Sequence, residues 1–101
     1  MIFFKNSPEY SDLTGLHVIE HTIHAAGTYT YAIPKGSFML ISLQTSTTAN
    51  APTYTVSRYN DYVCIQNLAG ERNDSKVEVD GTNVKITLSY VTFVMILQVQ
   101  Q

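Results

Sequence analysis

Large and small side chains alternate along residues 28–33, where Tyr29, Tyr31 and Ile33 are interleaved with Thr28, Thr30 and Ala32. A period of two sends alternate side chains to opposite faces, so this segment predicts a β-strand with one face on a core and one toward solvent. Pro34-Lys35-Gly36 then predicts a turn. Ser37 to Leu43 follows as a nearly continuous apolar run, the pattern of a strand covered on both faces. Two further strands are expected over Thr53 to Tyr59 and Tyr62 to Leu68, split by the turn former Asn60-Asp61. His17 to Ala25 reads as another, with His17, Ile19, His21, Ile23 and Ala25 on one face and Ala26-Gly27 closing it. A helix would group Leu16, Ile19, Ile23 and Ala26, but the β-branched Val18, Ile19, Thr22 and Ile23 favour the strand.

The C-terminal third allows a register to be argued. With Gly81-Thr82 as the central pair of a type II′ turn, Asp80 lies opposite Asn83, Val79 opposite Val84, Glu78 opposite Lys85 and Val77 opposite Ile86. Centring the turn on Asp80-Gly81 would set Lys76 against Lys85 and part Val79 from Val84, at a cost of up to about 1 kcal/mol per mismatched pair. The first register is therefore expected, with Val84, Ile86, Leu88 and Tyr90 facing the core. Val91 to Val99 predicts a last strand whose two faces are both apolar. Val91, Phe93, Met95 and Leu97 are expected on the core, leaving Val94 and Ile96 as a candidate oligomer interface.

These elements predict an all-β chain, folded as an antiparallel β-sandwich of jelly-roll-like form. At 101 residues it has room for one domain with a real core. Met1 to Gly15 has no sustained period and reads as an N-terminal arm or docking segment, with the sandwich occupying residues 16–101. Thr45 to Pro52 and Ala69 to Ser75 read as loops.

Composition narrows the function classes. Only 14% of residues are charged and the net charge is -2, so there is no basic footprint for nucleic acid. Ile2-Phe3-Phe4 is too short for a signal peptide and residues 91–99 are too few to span a bilayer, so neither secretion by a leader nor a membrane partner is expected. The single Cys64 cannot form an intrachain disulfide and reads as a small core hydrophobe.

His17-Val18-Ile19-Glu20-His21 matches the H-x-x-E-H string of inverted zinc peptidases. That motif needs a helix, whereas a strand would put His17 and His21 on one face and His24 on the other. Structural or surface histidines are expected, with no metal, no cofactor and no catalytic residue; a hydrolase using His17, Glu20 and His21 is the enzymatic alternative. The scattered acids Glu9, Asp12, Glu20, Asp61, Glu71 and Asp74 lack metal-loop spacing.

The seven tyrosines are the better lead. An exposed tyrosine beside Asn, Asp and Thr can pack against a sugar ring and hydrogen-bond its hydroxyls. Tyr59-Asn60-Asp61-Tyr62 is the best such cluster and the candidate ligand-binding site, although the same residues also make a good turn.

The string His24-Ala25-Ala26-Gly27-Thr28-Tyr29-Thr30-Tyr31-Ala32-Ile33-Pro34-Lys35-Gly36, followed by a hydrophobic strand, resembles the opening of the small β-sandwich domains of phage and prophage tail fibres. In those domains a Gly-Thr-Tyr-Thr strand ends in an apolar-Pro-x-Gly turn before the first core strand; the terminal hairpin and last strand are similar too. Many such domains carry a Gly-rich loop where this chain has residues 45–52. The resemblance implies a non-enzymatic, tail-associated structural or host-surface-binding module of the virion, present in the host cytoplasm before assembly. The partners implied are further copies of the chain, as a trimer, other virion proteins and a host surface glycan. A monomeric carbohydrate-binding module is the alternative.

Overall fold

The computed structural model describes residues 15–45, 51–69 and 75–99. The expected arm, and most of the two expected loops, lie outside the described residues. Eight strands follow in order: β1 (Leu16–His24), β2 (Gly27–Ala32), β3 (Phe38–Gln44), β4 (Thr53–Tyr59), β5 (Tyr62–Ala69), β6 (Ser75–Asp80), β7 (Asn83–Leu88) and β8 (Thr92–Val99). They form a five-stranded sheet of order β1-β8-β3-β4-β5 and a three-stranded sheet of order β2-β7-β6, with every pair antiparallel. The two sheets pack as a β-sandwich. Nested pairing of β1 with β8 and β2 with β7 follows the jelly-roll scheme, while β3-β4-β5 is a meander and β6-β7 a hairpin.

The core lies between the sheets. Met39, Ile41 and Leu43 from β3, with Val94 and Ile96 from β8, face Val84, Ile86 and Leu88 of β7. Val56 and Ile33 complete it. Burial of each such side chain contributes about 1.5–3 kcal/mol. Tyr29 and Tyr31 pack against this core, as the alternation along β2 predicts.

The β6-β7 hairpin has the register that cross-strand complementarity selects. Val79 pairs with Val84, Glu78 with Lys85 and Asp80 with Asn83, and Gly81 takes a φ of 64°. The turn at residues 34–37 is closed by Ser37 N–H donating to the Pro34 carbonyl at 3.1 Å, with Gly36 at a φ of 74°.

The faces of the last strand are reversed relative to the sequence expectation. Val94 and Ile96 are each only 1% exposed, so they are core residues and not an oligomer interface. Val91 and Met95 are exposed, and Phe93 and Leu97 are half-buried on the outer face. Because both faces are apolar, the pattern within β8 does not choose between them; pairing with β3, which sets Ile41 beside Ile96 and Leu43 beside Val94, does. Tyr90 is exposed, not in the core. Among the described residues β3 is covered on one face only, with Phe38 and Leu40 left exposed.

A bulge in β1 corrects the reading of the histidines. The pairing with β8 shifts between Val18 and Glu20, so Ile19 is extra. Before it His17 lies beside Gln98 on the inner side; after it His21 lies beside Met95 on the outer side. His17 and His21 therefore occupy opposite faces, and Glu20 and His24 point inward.

Candidate functional site

The β4-β5 hairpin carries the four residues singled out by sequence. Tyr59 and Tyr62 are cross-strand partners at the base of the two-residue Asn60-Asp61 turn. Cross-strand partners project to the same side, here the outer face of the five-stranded sheet, opposite to the inward Val56 and Ile65. Their exposures are 76% and 74%, so both rings are presented to solvent. Asn60 adopts a φ of 53°, a left-handed conformation that asparagine tolerates better than most residues.

Arg58 holds this tip in place. Its Nε donates to the Asn60 carbonyl at 2.6 Å, its Nη1 donates to the Ile33 carbonyl at 2.8 Å, and its Nη2 lies 3.9 Å from Asp61 Oδ1. The backbone adds two bonds, Gly36 N–H to the Arg58 carbonyl and Arg58 N–H to the Ser37 carbonyl, each 3.1 Å. The planar guanidinium thus ties the hairpin turn to the chain entering β3. A pair of aromatic rings on a pinned turn loses little conformational freedom when it meets a ligand.

Behind the tyrosines the outer face of β4 and β5 is a polar lane. Ser57 faces Cys64, and Thr55 faces Gln66, on successive outward pairs. Cys64 is exposed here, contrary to the expectation of a core position. Hydroxyls and amides both donate and accept, which suits a surface that binds neutral polyhydroxyl compounds.

A second polar cluster bridges the sheets at β1 and β2. His24 Nε2 lies 3.1 Å from Glu20 Oε1, and the Tyr31 hydroxyl donates to Glu20 Oε2 at 3.2 Å. The Tyr29 hydroxyl donates to the Ala25 carbonyl at 2.7 Å, and its ring lies 4.6 Å from that of His24 between centroids. Burial, then the charge and hydrogen bond of Glu20, push the Tyr31 hydroxyl up to about 12. Sequence reasoning missed this cluster because the bulge at Ile19, which turns Glu20 and His24 inward, leaves no mark in the alternation. His17, His21 and His24 are not brought together, and no group of three or more His, Cys, Asp or Glu capable of holding a metal occurs among the described residues.

No protein-family model matches this chain, and no curated protein sequence does. Among solved structures it is similar to the crystal structure of the tailspike protein gp49 of Acinetobacter baumannii bacteriophage Fri1, a capsular polysaccharide depolymerase. The TM-score is 0.54 at 15% identity, over 87% of this chain and 20% of that one. The chain therefore spans about a fifth of the tailspike's length, and the likeness is one of fold.

Proposed function

We propose that this chain is a non-enzymatic, tail-associated module of a phage virion that binds a bacterial surface polysaccharide through the outer face of β4 and β5. The observation that carries this reading is the Tyr59–Tyr62 pair: two adjacent, exposed rings on a hairpin pinned by Arg58, at the head of a lane of hydroxyl and amide side chains. The C–H faces of a sugar ring pack on aromatic faces, and its hydroxyls exchange hydrogen bonds with Ser, Thr and Gln. The fold likeness to a protein that acts on capsular polysaccharide supports the ligand class and the tail association.

Titration calorimetry against purified capsular polysaccharide tests the reading. Wild-type chain binds, and replacing both tyrosines (Tyr59→Ala with Tyr62→Ala) weakens binding by about tenfold or more, equivalent to about 1.4 kcal/mol. Undiminished binding by the double variant removes the site. Polymer recovered at its original length is expected after incubation; shortened chains would overturn the non-enzymatic assignment.

A carbohydrate-binding module working as a monomer is the second reading. It is favoured by the location of both rings and the polar lane within one chain. Oligomeric state separates the two.

A further inference from the structure

The outer face of the five-stranded sheet is divided. Its β4-β5 half carries the polar lane, whereas its β1-β8-β3 half is built from rows of cross-strand partners that are wholly apolar at one end. Leu16, Val99 and Phe38 make the first row, and Val18, Leu97 and Leu40 the second. All but Leu97 are more than a third exposed. The following rows are mixed, with Ser42 beside Met95 and His21, then Gln44 beside Phe93 and Ile23.

A depression of about 170 Å³ opens across the second and third rows, among Val18, Leu97, Leu40, His21, Met95 and Ser42. Glu20 also borders it, with its carboxylate turned away between the sheets to Tyr31 and His24. An apolar cavity of about 150 Å³ accepts one benzene molecule, so this depression has room for a single phenyl ring.

We infer that the segment Ile2-Phe3-Phe4 of this same chain docks on the apolar half-face and places one phenylalanine ring in the depression. The inference is independent of polysaccharide binding, because it uses the other half of the sheet.

Three observations select that occupant. The first is where the chain enters. Leu16 opens β1 and belongs to the first apolar row, so the residues before it join the sandwich at the apolar end of this face, one row from the depression. One row is two residues, about 7 Å along a strand.

The second is length. Residues 5–15 separate Phe4 from Leu16. A flexible connector of that length has a root-mean-square span of roughly 17–20 Å, enough to cover the roughly 10 Å to the depression without greatly overshooting it. Such a tether holds the segment at a millimolar effective concentration, so a contact too small to retain a separate molecule suffices.

The third is composition. Of the residues outside those described, 46–50, 70–74 and 100–101 contain no large apolar side chain. Ile2, Phe3 and Phe4 stand in a row and lead into Lys5, Asn6 and Ser7, an uncharged apolar tip on a polar connector. The outward residues of the half-face include no Asp, Glu, Lys or Arg, so it matches that tip. A partner chosen by charge complementarity would find nothing here to read, and a polysaccharide would leave the apolar rows uncovered.

The three methionines supply the test: Met1 precedes the segment, Met39 is buried in the core and Met95 stands on the half-face. In nuclear magnetic resonance of the full chain carrying methyl-labelled methionine, the Met95 signal is expected to move in the double variant Phe3→Ser with Phe4→Ser, through loss of a ring current. Met39 is expected to stay in place, showing the core intact, and the wild-type Met95 position is expected to be unchanged on dilution. A wild-type position that drifts on dilution toward that of the double variant would assign the segment to another copy and overturn the inference. Should Met39 move as well, tryptic cleavage after Lys5 decides. Proteolysis tracks the population of the open form, so Val18→Glu, on an exposed position of an edge strand, is expected to speed that cut by about tenfold. Either an unmoved Met95 in the double variant or an unchanged rate of cleavage overturns the inference.

Discussion

Tyr31 on β2 donates its hydroxyl to the Glu20 carboxylate on β1, joining the two sheets through side chains at 3.2 Å. Glu20 sits mid-strand in β1 and Tyr31 one residue from the end of β2, and His24 occupies the other carboxylate oxygen. The contact ties an edge strand of one sheet to an edge strand of the other.

Removing that hydroxyl has a pH-dependent consequence. With Tyr31 raised from 10.0 to about 12, the folded chain keeps a proton that the unfolded chain loses between those values. The unfolded state then binds fewer protons, so stability is untouched by this group below pH 10.0 and falls as pH rises toward 12. Tyr31→Phe is expected to cost about 1–2 kcal/mol at neutral pH through the lost bond to a charged acceptor. It is also expected to flatten the alkaline decline. Urea melts at pH 7, 10 and 11.5, roughly spanning the window the shift defines, measure both effects.

Gly81 is at a φ of 64° with nothing within 4 Å of where a Cβ would stand. The cost of a side chain there is backbone strain alone. Gly81→Val is expected to destabilise by about 1–2 kcal/mol and Gly81→Asn by less, since asparagine tolerates the left-handed region. Equal losses in thermal melts for the two variants would show that space, not backbone conformation, sets the penalty.

Arg58 satisfies two carbonyls with one rigid fork. Arg58→Ala is expected to cost about 1.5–3 kcal/mol and to weaken polysaccharide binding as the tyrosine tip loosens. Arg58→Lys restores little, because a single ammonium on a flexible stem cannot hold both acceptors in that geometry. Recovery of full stability with Lys would contradict this account.

The reversed faces of the last strand are tested directly. Ile96→Lys buries a charge among Ile41, Val84 and Ile86 and is expected to abolish folding, at more than about 4 kcal/mol. Val91→Lys, at a position 62% exposed, is expected to stay within about 0.5 kcal/mol of wild type. Circular dichroism of the two variants distinguishes them, and the opposite outcome would restore the original face assignment.

Local pattern was enough wherever only one arrangement satisfied it. The alternation of Tyr29, Tyr31 and Ile33 with small residues has one apolar face, so its orientation followed. The β6-β7 register followed because only one pairing puts Glu78 against Lys85 and Val79 against Val84. Pro34 to Gly36 and Asn60-Asp61 marked turns through backbone preference alone. The tyrosine pair at the second turn was legible for the same reason: a two-residue hairpin sets its flanking residues side by side.

Tertiary structure decided what local pattern left degenerate. β8 is apolar on both faces, and only its pairing with β3 turned Val94 and Ile96 inward. The extra residue at Ile19 moved Glu20 and His24 into the space between the sheets and parted His17 from His21. A bulge depends on the register of the neighbouring strand, not on side-chain alternation, so no periodic reading of β1 contains it. Which half of the outer face is apolar is likewise a property of strand order. Residues distant in sequence, Val18, Leu40 and Met95, become one surface only when β8 lies between β1 and β3.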